Sequence, residues 1–332
     1  MNASDQTLPW LADTWARLSQ QIQAGRLPQA MILSGNPGVG KRRLAQQISA
    51  ALLCESRSAD GQACAQCRSC QLRIAGHHPN LLSVAPERNA KTGQLKRDIA
   101  MEQLRSVMES LSLASHFDGA RVVRIDPAEA LNQSGVNALL KTVEEPPPRT
   151  HIILIAERPL ALAATLRSRC QQIPCPSPPQ DEAQAWLTSQ GAAAATAYLA
   201  ATGGAPLAAL AWHQSDVGEK QTRWRKDLLQ LAQSGRQPLE LAAAVDKPDI
   251  AAWLEAVMRL LLDLYRAAYA SDEAQKLNEL ARSIAAESLE NLRESVIQAR
   301  KALLSNANPQ LTAESLMILW WRCTASYRRT RR

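Results

Sequence analysis

Long hydrophobic runs are missing from this sequence. No uncharged apolar stretch in its 332 residues approaches a length of about 18 residues, which a membrane-spanning helix needs. The first fifteen residues also lack the basic segment and the apolar segment of a secretory leader. We therefore expect a cytoplasmic protein without a membrane span. Its seven cysteines are expected to be reduced or metal-bound rather than paired in disulfides.

Aromatic residues are scarce as well. They make up 4% of the chain, and none occurs between Cys54 and Pro79. Modules that stack nucleic-acid bases need aromatic side chains, so this scarcity argues against a base-binding role for that segment. Apolar residues nevertheless reach 46%, which predicts globular domains with sizeable cores. The net charge of +7 mildly favours a polyanionic partner but identifies no site.

A phosphate-binding loop follows the first predicted strand. The apolar segment 30–34 runs into GNPGVGK at 35–41 and then into an amphipathic helix. Glycines in such a loop let backbone N–H groups surround phosphates at a helix N-terminus, and Lys41 would reach the terminal phosphates. The next residue should be the Ser or Thr that holds Mg²⁺, and it is Arg42. The candidate nucleotide-binding glycines are Gly35, Gly38 and Gly40.

A second loss on the same nucleotide site follows the strand predicted at 122–125. Asp126 stands where a P-loop enzyme places the acid that holds Mg²⁺ through water. The next residue should be Glu to polarise an attacking water, but it is Pro127, and Glu129 is expected to point elsewhere. The metal-binding hydroxyl and the catalytic base are therefore both absent, which predicts no ATP hydrolysis by this chain. Weak nucleotide binding stays open because Lys41 is kept.

A cluster of cysteines follows the helix of the P-loop. Four cysteines fall within seventeen residues, a spacing that suits a closed, tetrahedral, structural zinc site. A ferredoxin-type cluster would need a further Cys where Ile74 stands. His77 and His78 lie just beyond and are expected to form a turn. The predicted zinc ligands are Cys54, Cys64, Cys67 and Cys70.

The composition changes at the Pro-rich stretch 174–179. Strands and helices alternate before it, and an Ala- and Leu-rich sequence with helical periods follows. A weaker boundary lies near 216–218, and residues 192–201 are expected to form a helix by propensity. These shifts predict three domains. They are residues 1–175 with a cysteine insert at about 54–70, residues 176–216, and residues 217–332.

The motifs together resemble those of the bacterial clamp-loader family of AAA+ proteins, and within it the delta-prime group. They cover the first half of the chain, whereas the second half fits by length and layout without sharp motifs. The stretches that carry the resemblance are GNPGVGK at 35–41, the four-cysteine insert, RVVRIDPAEALN at 121–132, NALLKTVEEPP at 137–147 and LRSRC at 166–170.

This resemblance implies an α/β AAA+ P-loop domain with a five-stranded parallel sheet, a small helical lid and an all-α C-terminal collar domain. It also implies a hetero-pentameric ring with three gamma/tau subunits and one delta subunit, which places the beta sliding clamp on primed DNA. The ring belongs to the DNA polymerase III holoenzyme, a nucleotidyltransferase. This chain shows no polymerase site of its own, and the resemblance implies that it is stationary and does not hydrolyse ATP.

The resemblance further implies that Ser168-Arg169-Cys170 offers an arginine finger to the ATP site of a neighbouring gamma subunit. Arginine is permanently charged, its planar fork meets phosphate oxygens at two points, and such a finger contributes about 10³-fold or more. Active relatives also place an Arg in the lid shortly after a Gly-Ser pair. The corresponding stretch here, 203–207, contains none, so a third nucleotide contact is missing.

Two other functions remain open on the sequence. One is a self-sufficient AAA+ ATPase, which predicts turnover by the isolated chain. The other is a zinc-dependent nucleic-acid-binding module, which predicts salt-dependent DNA binding that a chelator abolishes.

Overall fold

The computed structural model describes residues 7–89, 93, 95–112, 119–233, 237–269, 275–304 and 307–330. The chain divides into two compact units, Met1–Ala211 and Trp212–Arg332. Within the described ranges, no helix combines the length and the apolar character that crossing a membrane requires. The further division of the first half at residue 175 stays a prediction.

Helices and strands alternate through most of the first unit, as its sequence predicts. In chain order the elements are α1 (Ala12–Gln23), β1 (Ala30–Ser34), α2 (Lys41–Leu53), α3 (Arg68–Ile74), β2 (Leu81–Val84), α4 (Met101–Ser112), β3 (Arg121–Ile125), α5 (Gln133–Glu144), β4 (Thr150–Ala156), α6 (Ala164–Arg167), β5 (Gln171–Pro174), α7 (Gln180–Ser189) and α8 (Pro206–His213).

The five strands form one parallel sheet in the order β2-β3-β4-β1-β5. Ile152 of β4 aligns with Ala30 of β1 on one side and with Val123 of β3 on the other. β1 and β4 are buried almost throughout, as expected for parallel strands that carry helices on both faces. The prediction of a five-stranded parallel α/β sheet is confirmed.

Successive side chains of β1 point into two different cores. Met31 and Leu33 join the core formed with α1 and α2, and Ile32 joins the core formed with α4, α5 and α6. This alternation is the period of two that a strand imposes. The helix α5 begins where the Asn132 side chain accepts a hydrogen bond from Gly135 N at 2.9 Å, and it presents its apolar stripe to the second core.

The helix expected at 192–201 is wrong in type. The segment forms a 3₁₀-helix, Ala193–Tyr198, followed by turns. Packing outweighs propensity here, because Ala195 is fully buried in the core that contains Trp186 of α7. Trp186 also meets Trp10 edge to face, with ring centroids 5.4 Å apart, and Trp10 Nε1 donates to Val39 O at 2.8 Å.

Every secondary-structure element described in the second unit is a helix, so the predicted all-α second half is confirmed. Its apolar runs form a core that contains the fully buried Trp253 and Trp320, and Trp320 Nε1 donates to Leu228 O at 2.9 Å. The helices are α9 (Val217–Gln233), α10 (Pro238–Ala243), α11 (Ile250–Tyr269), α12 (Gln275–Ser283), α13 (Ala286–Leu304), α14 (Pro309–Cys323) and α15 (Ala325–Thr330).

Candidate functional site

Three connections after parallel strands converge at one edge of the sheet. The P-loop lies between β1 and α2, Asp126 follows β3, and Glu157 follows β4. Because the carboxyl ends of parallel strands form the ligand-binding crevice of open α/β sheets, this edge is the candidate nucleotide site. The sequence motifs predict the first two components, but no motif singles out Glu157.

The P-loop glycines are required by close packing as well as by backbone conformation. Gly38 has a φ of +80°, and a Cβ there would lie 2.4 Å from the Cβ of Ala208 in α8. Gly40 caps the N-terminus of α2, where a Cβ would lie 2.2 Å from Leu8 Cδ1. At Gly35 a Cβ would lie 2.1 Å from the carbonyl oxygen of Cys175. The loop keeps the shape that its sequence predicts.

Lys41 points back into its own loop. Its Nζ donates to Gly35 O at 2.7 Å and to Asn36 O at 2.8 Å, and the residue is only 4% exposed. Burial lowers the pKa of Lys41, and the negative charge of Glu157 partly offsets that shift. Two backbone carbonyls of the loop therefore hold the amine that would contact terminal phosphates.

Arg42 occupies the sequence position of the metal-binding hydroxyl, and it faces Asp126. Arg42 Nε donates to Asp126 Oδ2 at 2.6 Å, and Nη2 donates to Oδ1 at 3.0 Å. The Glu157 carboxylate lies 3.7 Å from the same Nη2. The hydrogen bond to Asp126 is the main reason why the pKa of Arg42 is raised. A metal ion at Asp126 would have to compete with this two-point ion pair.

Glu129 has a structural task in this region. One of its carboxylate oxygens accepts hydrogen bonds from the backbone N–H groups of Glu157 and Arg158. Glu129 thereby fixes the connection that follows β4. Pro127, at the position of the catalytic glutamate, has no carboxylate to offer, so the predicted loss of the base is unchanged by the geometry.

The glycine-rich stretch 203–207 reaches the P-loop. Leu207 N donates to Gly38 O at 3.1 Å. Ser177 Oγ donates to Gly203 O at 2.9 Å and lies 3.4 Å from Asn36 Nδ2. The stretch 203–207 therefore contacts the P-loop through its backbone.

The predicted finger residues lie on the turn between α6 and β5. Arg169 is exposed, its Nε donates to the Glu144 carboxylate, and its Nη1 donates to Thr165 O at 3.1 Å. Ser168 Oγ also donates to Thr165 O, at 3.1 Å. Cys170 lies in the apolar core, where burial raises the pKa of its thiol to about 11. Cys170 is therefore a neutral packing residue, and Arg169 carries the accessible charge of the motif.

The four predicted zinc ligands come together. Their Sγ atoms all lie within 4.8 Å of one another, and the Cys54–Cys67 and Cys64–Cys70 sulfur pairs are each 4.0 Å apart. Zn–S bonds of about 2.3 Å in a tetrahedron place sulfurs about 3.8 Å apart, so the arrangement fits a tetrathiolate metal site. No cysteine of the chain is paired in a disulfide.

Backbone N–H groups support the cluster. Cys67 N and Gln66 N both donate to Cys64 Sγ, at 3.3 and 3.5 Å, and they lower the pKa of that thiol to about 6. Burial raises the pKa of Cys54 and of Cys70. A bound divalent cation would deprotonate coordinating thiols outright and so offset that cost. His78 lies behind the cluster, where it contacts Ser69 Oγ at 2.7 Å.

Comparison with known proteins gives matches along both units. A family model described as DNA polymerase III, delta subunit, matches residues 10–178. A second model, described as DNA polymerase III, delta subunit, C terminal, matches residues 220–322.

The chain also matches individual proteins. The chain is similar to DNA polymerase III subunit delta' of Pseudomonas aeruginosa, with 36% identity over 65% of this chain and 64% of that protein. It is 32% identical to the Escherichia coli protein of the same name, over 93% of this chain and 94% of that one. A solved gamma subunit-related protein of Thermotoga maritima aligns with 93% of this chain and 99% of its own, at 14% identity and a TM-score of 0.48.

Proposed function

The chain belongs to the family of DNA polymerase III delta-prime subunits, and we propose that it is the stationary, non-hydrolysing member of the clamp-loader ring. In this role it lends Arg169 to the ATP site of a neighbouring gamma or tau subunit. The ring would also contain a delta subunit and would place the beta sliding clamp on primed DNA. Polymerase activity would belong to the holoenzyme and not to this chain.

The ion pair between Arg42 and Asp126 carries the non-hydrolysing part of the proposal. Phosphoryl transfer needs a metal ion to neutralise charge on the phosphates, and a guanidinium already neutralises the acid that would hold that ion. Pro127, at the position of the catalytic glutamate, has no carboxylate. Both differences act against hydrolysis at this site.

The exposure of Arg169 supports the proposal that this residue acts at the ATP site of a neighbouring subunit. Its side chain is 40% exposed at the end of a short helix, so its guanidinium is accessible to a ligand outside the chain. A phosphate can accept two hydrogen bonds from a guanidinium. The positive charge of the guanidinium stabilises most where negative charge develops in the transition state. The neutral, buried Cys170 would anchor the turn that carries Arg169 in the apolar core.

We also propose that the four cysteines bind one structural zinc ion. The ligands would be Cys54, Cys64, Cys67 and Cys70, which the structure brings together in a tetrathiolate geometry. Four protein thiolates leave no open coordination position, so the ion would supply folding energy to the insert and no catalytic chemistry.

The experiment compares rings reconstituted with gamma and delta subunits. We expect Arg169→Ala to leave assembly intact and to lower clamp- and DNA-stimulated ATP turnover by several-fold or more. Arg26→Ala is the matched control, because it removes an exposed arginine of the same unit. A normal rate with Arg169→Ala would refute the proposal. Turnover by the isolated chain that survives Arg169→Ala would instead identify a self-sufficient ATPase.

A further inference from the structure

We propose that Glu144 is the positioning residue for Arg169, and this inference rests on the proposed function of Arg169. Glu144 is the last residue of α5, and its carboxylate binds Arg169 Nε across 25 residues of sequence. By fixing that nitrogen, Glu144 holds the guanidinium in one orientation before a neighbouring subunit's phosphate arrives.

The hydrogen bonds divide the guanidinium into an anchored part and an available part. Nε is anchored by Glu144, and Nη1 is anchored by the carbonyl oxygen of Thr165 at 3.1 Å. Nη2 has no acceptor among the residues that the structure describes. Two contacts from different helices therefore fix the plane of the fork and leave the Nη2 donors for a ligand outside the chain.

The position of Glu144 is unfavourable for its own helix. The C-terminus of a helix carries partial negative charge, so a carboxylate in the last turn of α5 is destabilising there, and Glu145 follows directly. Arg169 supplies the opposite charge to Glu144. A residue that breaks a local rule and is compensated by one specific partner indicates a functional constraint.

Apolar packing fixes the backbone that carries Glu144 and Arg169. Val143, just before Glu144, and Leu166 and Cys170, which flank the finger turn, all lie in the same apolar core. The two charged side chains remain 40% and 47% exposed. The backbones that carry both partners are thus fixed by packing, while the ion pair itself stays accessible to solvent and to a docking subunit.

Pre-organisation of this kind acts on the transition state. A long arginine side chain that is already ordered loses less rotamer freedom when it meets the developing charge, so kcat rises more than substrate affinity. A glutamine at residue 144 keeps an oxygen that can accept from Nε. Glu144→Gln should therefore retain part of the contribution of residue 144 to kcat, whereas Glu144→Ala should lose all of it.

The test uses reconstituted rings carrying Glu144→Ala, Glu144→Gln, Glu145→Ala, Arg169→Ala and the double variant Glu144→Ala/Arg169→Ala. We expect Glu144→Ala to lower kcat about threefold, and by less than Arg169→Ala does, with the KM for ATP and the assembly unchanged. Glu144→Gln should recover part of that loss. Glu145→Ala removes the same charge from the next residue and should match the wild type.

The double variant separates positioning from a general structural effect. If Glu144 acts through Arg169, adding Glu144→Ala to Arg169→Ala should lower kcat no further. Three results would overturn the inference while the proposed function stands. Glu144→Ala could lower kcat equally in both backgrounds, or it could leave kcat unchanged. It could also raise kcat, which would show that Glu144 sequesters Arg169. A normal kcat with Arg169→Ala would refute the proposed function itself, and the role of Glu144 with it.

Discussion

Arg42 and Asp126 form a two-point ion pair between the start of α2 and the end of β3, 84 residues apart in sequence. In a working P-loop enzyme these two positions hold Mg²⁺ between them, through a hydroxyl and an acid. Here one position supplies a permanent cation and the other supplies its counter-ion. The site therefore satisfies its own charge without metal or nucleotide.

Arg42→Thr should restore a response to magnesium. The substitution returns a hydroxyl to the P-loop and releases the Asp126 carboxylate from the guanidinium. We expect Mg²⁺ to strengthen the binding of an adenine nucleotide about tenfold in the variant and to have no measurable effect in the wild type, as measured by calorimetric titration. Hydrolysis should stay absent, because Pro127 still offers no base.

Arg43→Thr is the matched control, since it removes an arginine from the next position of the same helix, where no ion pair with Asp126 exists. Magnesium-dependent binding by the wild-type chain would show that the guanidinium does not exclude the metal. Hydrolysis by Arg42→Thr alone would show that the missing carboxylate at Pro127 is not limiting.

The zinc proposal predicts one zinc ion per chain by elemental analysis. Removing it with a chelator, or replacing Cys67 by Ser, should lower the Tm by at least about 5 °C, because each 1 kcal/mol lost shifts Tm by about 2–4 °C in units of this size. Cys323→Ser, far from the cluster in sequence, should retain the ion. A chain that purifies without zinc and is insensitive to chelators would contradict the prediction.

His151 should contribute to acid sensitivity. Burial lowers the pKa of His151, and its Nδ1 donates to Pro28 O at 3.1 Å. Since the folded pKa lies below the unfolded value of about 6.5, the unfolded chain binds the proton first, and stability falls as the pH drops below about 6.5. The cost can reach at most about 1.4 kcal/mol per pH unit for one proton.

Urea unfolding at pH 7.5, 6.5 and 5.5 checks this prediction. His151→Gln removes the titrating group, so its free energy of unfolding should decline less steeply than that of the wild type. His78, whose pKa burial also lowers, remains in the variant and keeps part of the slope. Identical slopes for the two proteins would exclude His151 as a source of the pH dependence.

The sequence predicts those features of the fold and the site that depend on short stretches of chain. The apolar run Met31–Leu33 becomes an interior strand with no solvent exposure, and the cysteine spacing becomes a compact cluster. Both follow from short-range rules on burial and on ligand geometry. The helix expected at 192–201 forms only as a 3₁₀-helix followed by turns, because a segment that is short and rich in Ala takes its conformation from its neighbours.

Contacts between distant positions could not be read from the chain. The sequence shows that Arg42 replaces a hydroxyl, but only the fold brings it onto Asp126. The same holds for Glu144 and Arg169, and for Glu157 at the edge of the P-loop site. Long charged side chains choose among several partners within reach, and the packing of strands and helices decides between them.

The role of Arg169 in trans can be tested by measuring how tightly the reconstituted ring binds ADP with aluminium fluoride, a mimic of the transferring phosphoryl group, relative to a non-hydrolysable ATP analogue. A finger supplied in trans stabilises the transition state more than the ground state. We expect Arg169→Ala to weaken binding of the mimic by about tenfold or more and to leave the analogue's affinity nearly unchanged. Equal affinities of wild-type and variant rings for the mimic would contradict it.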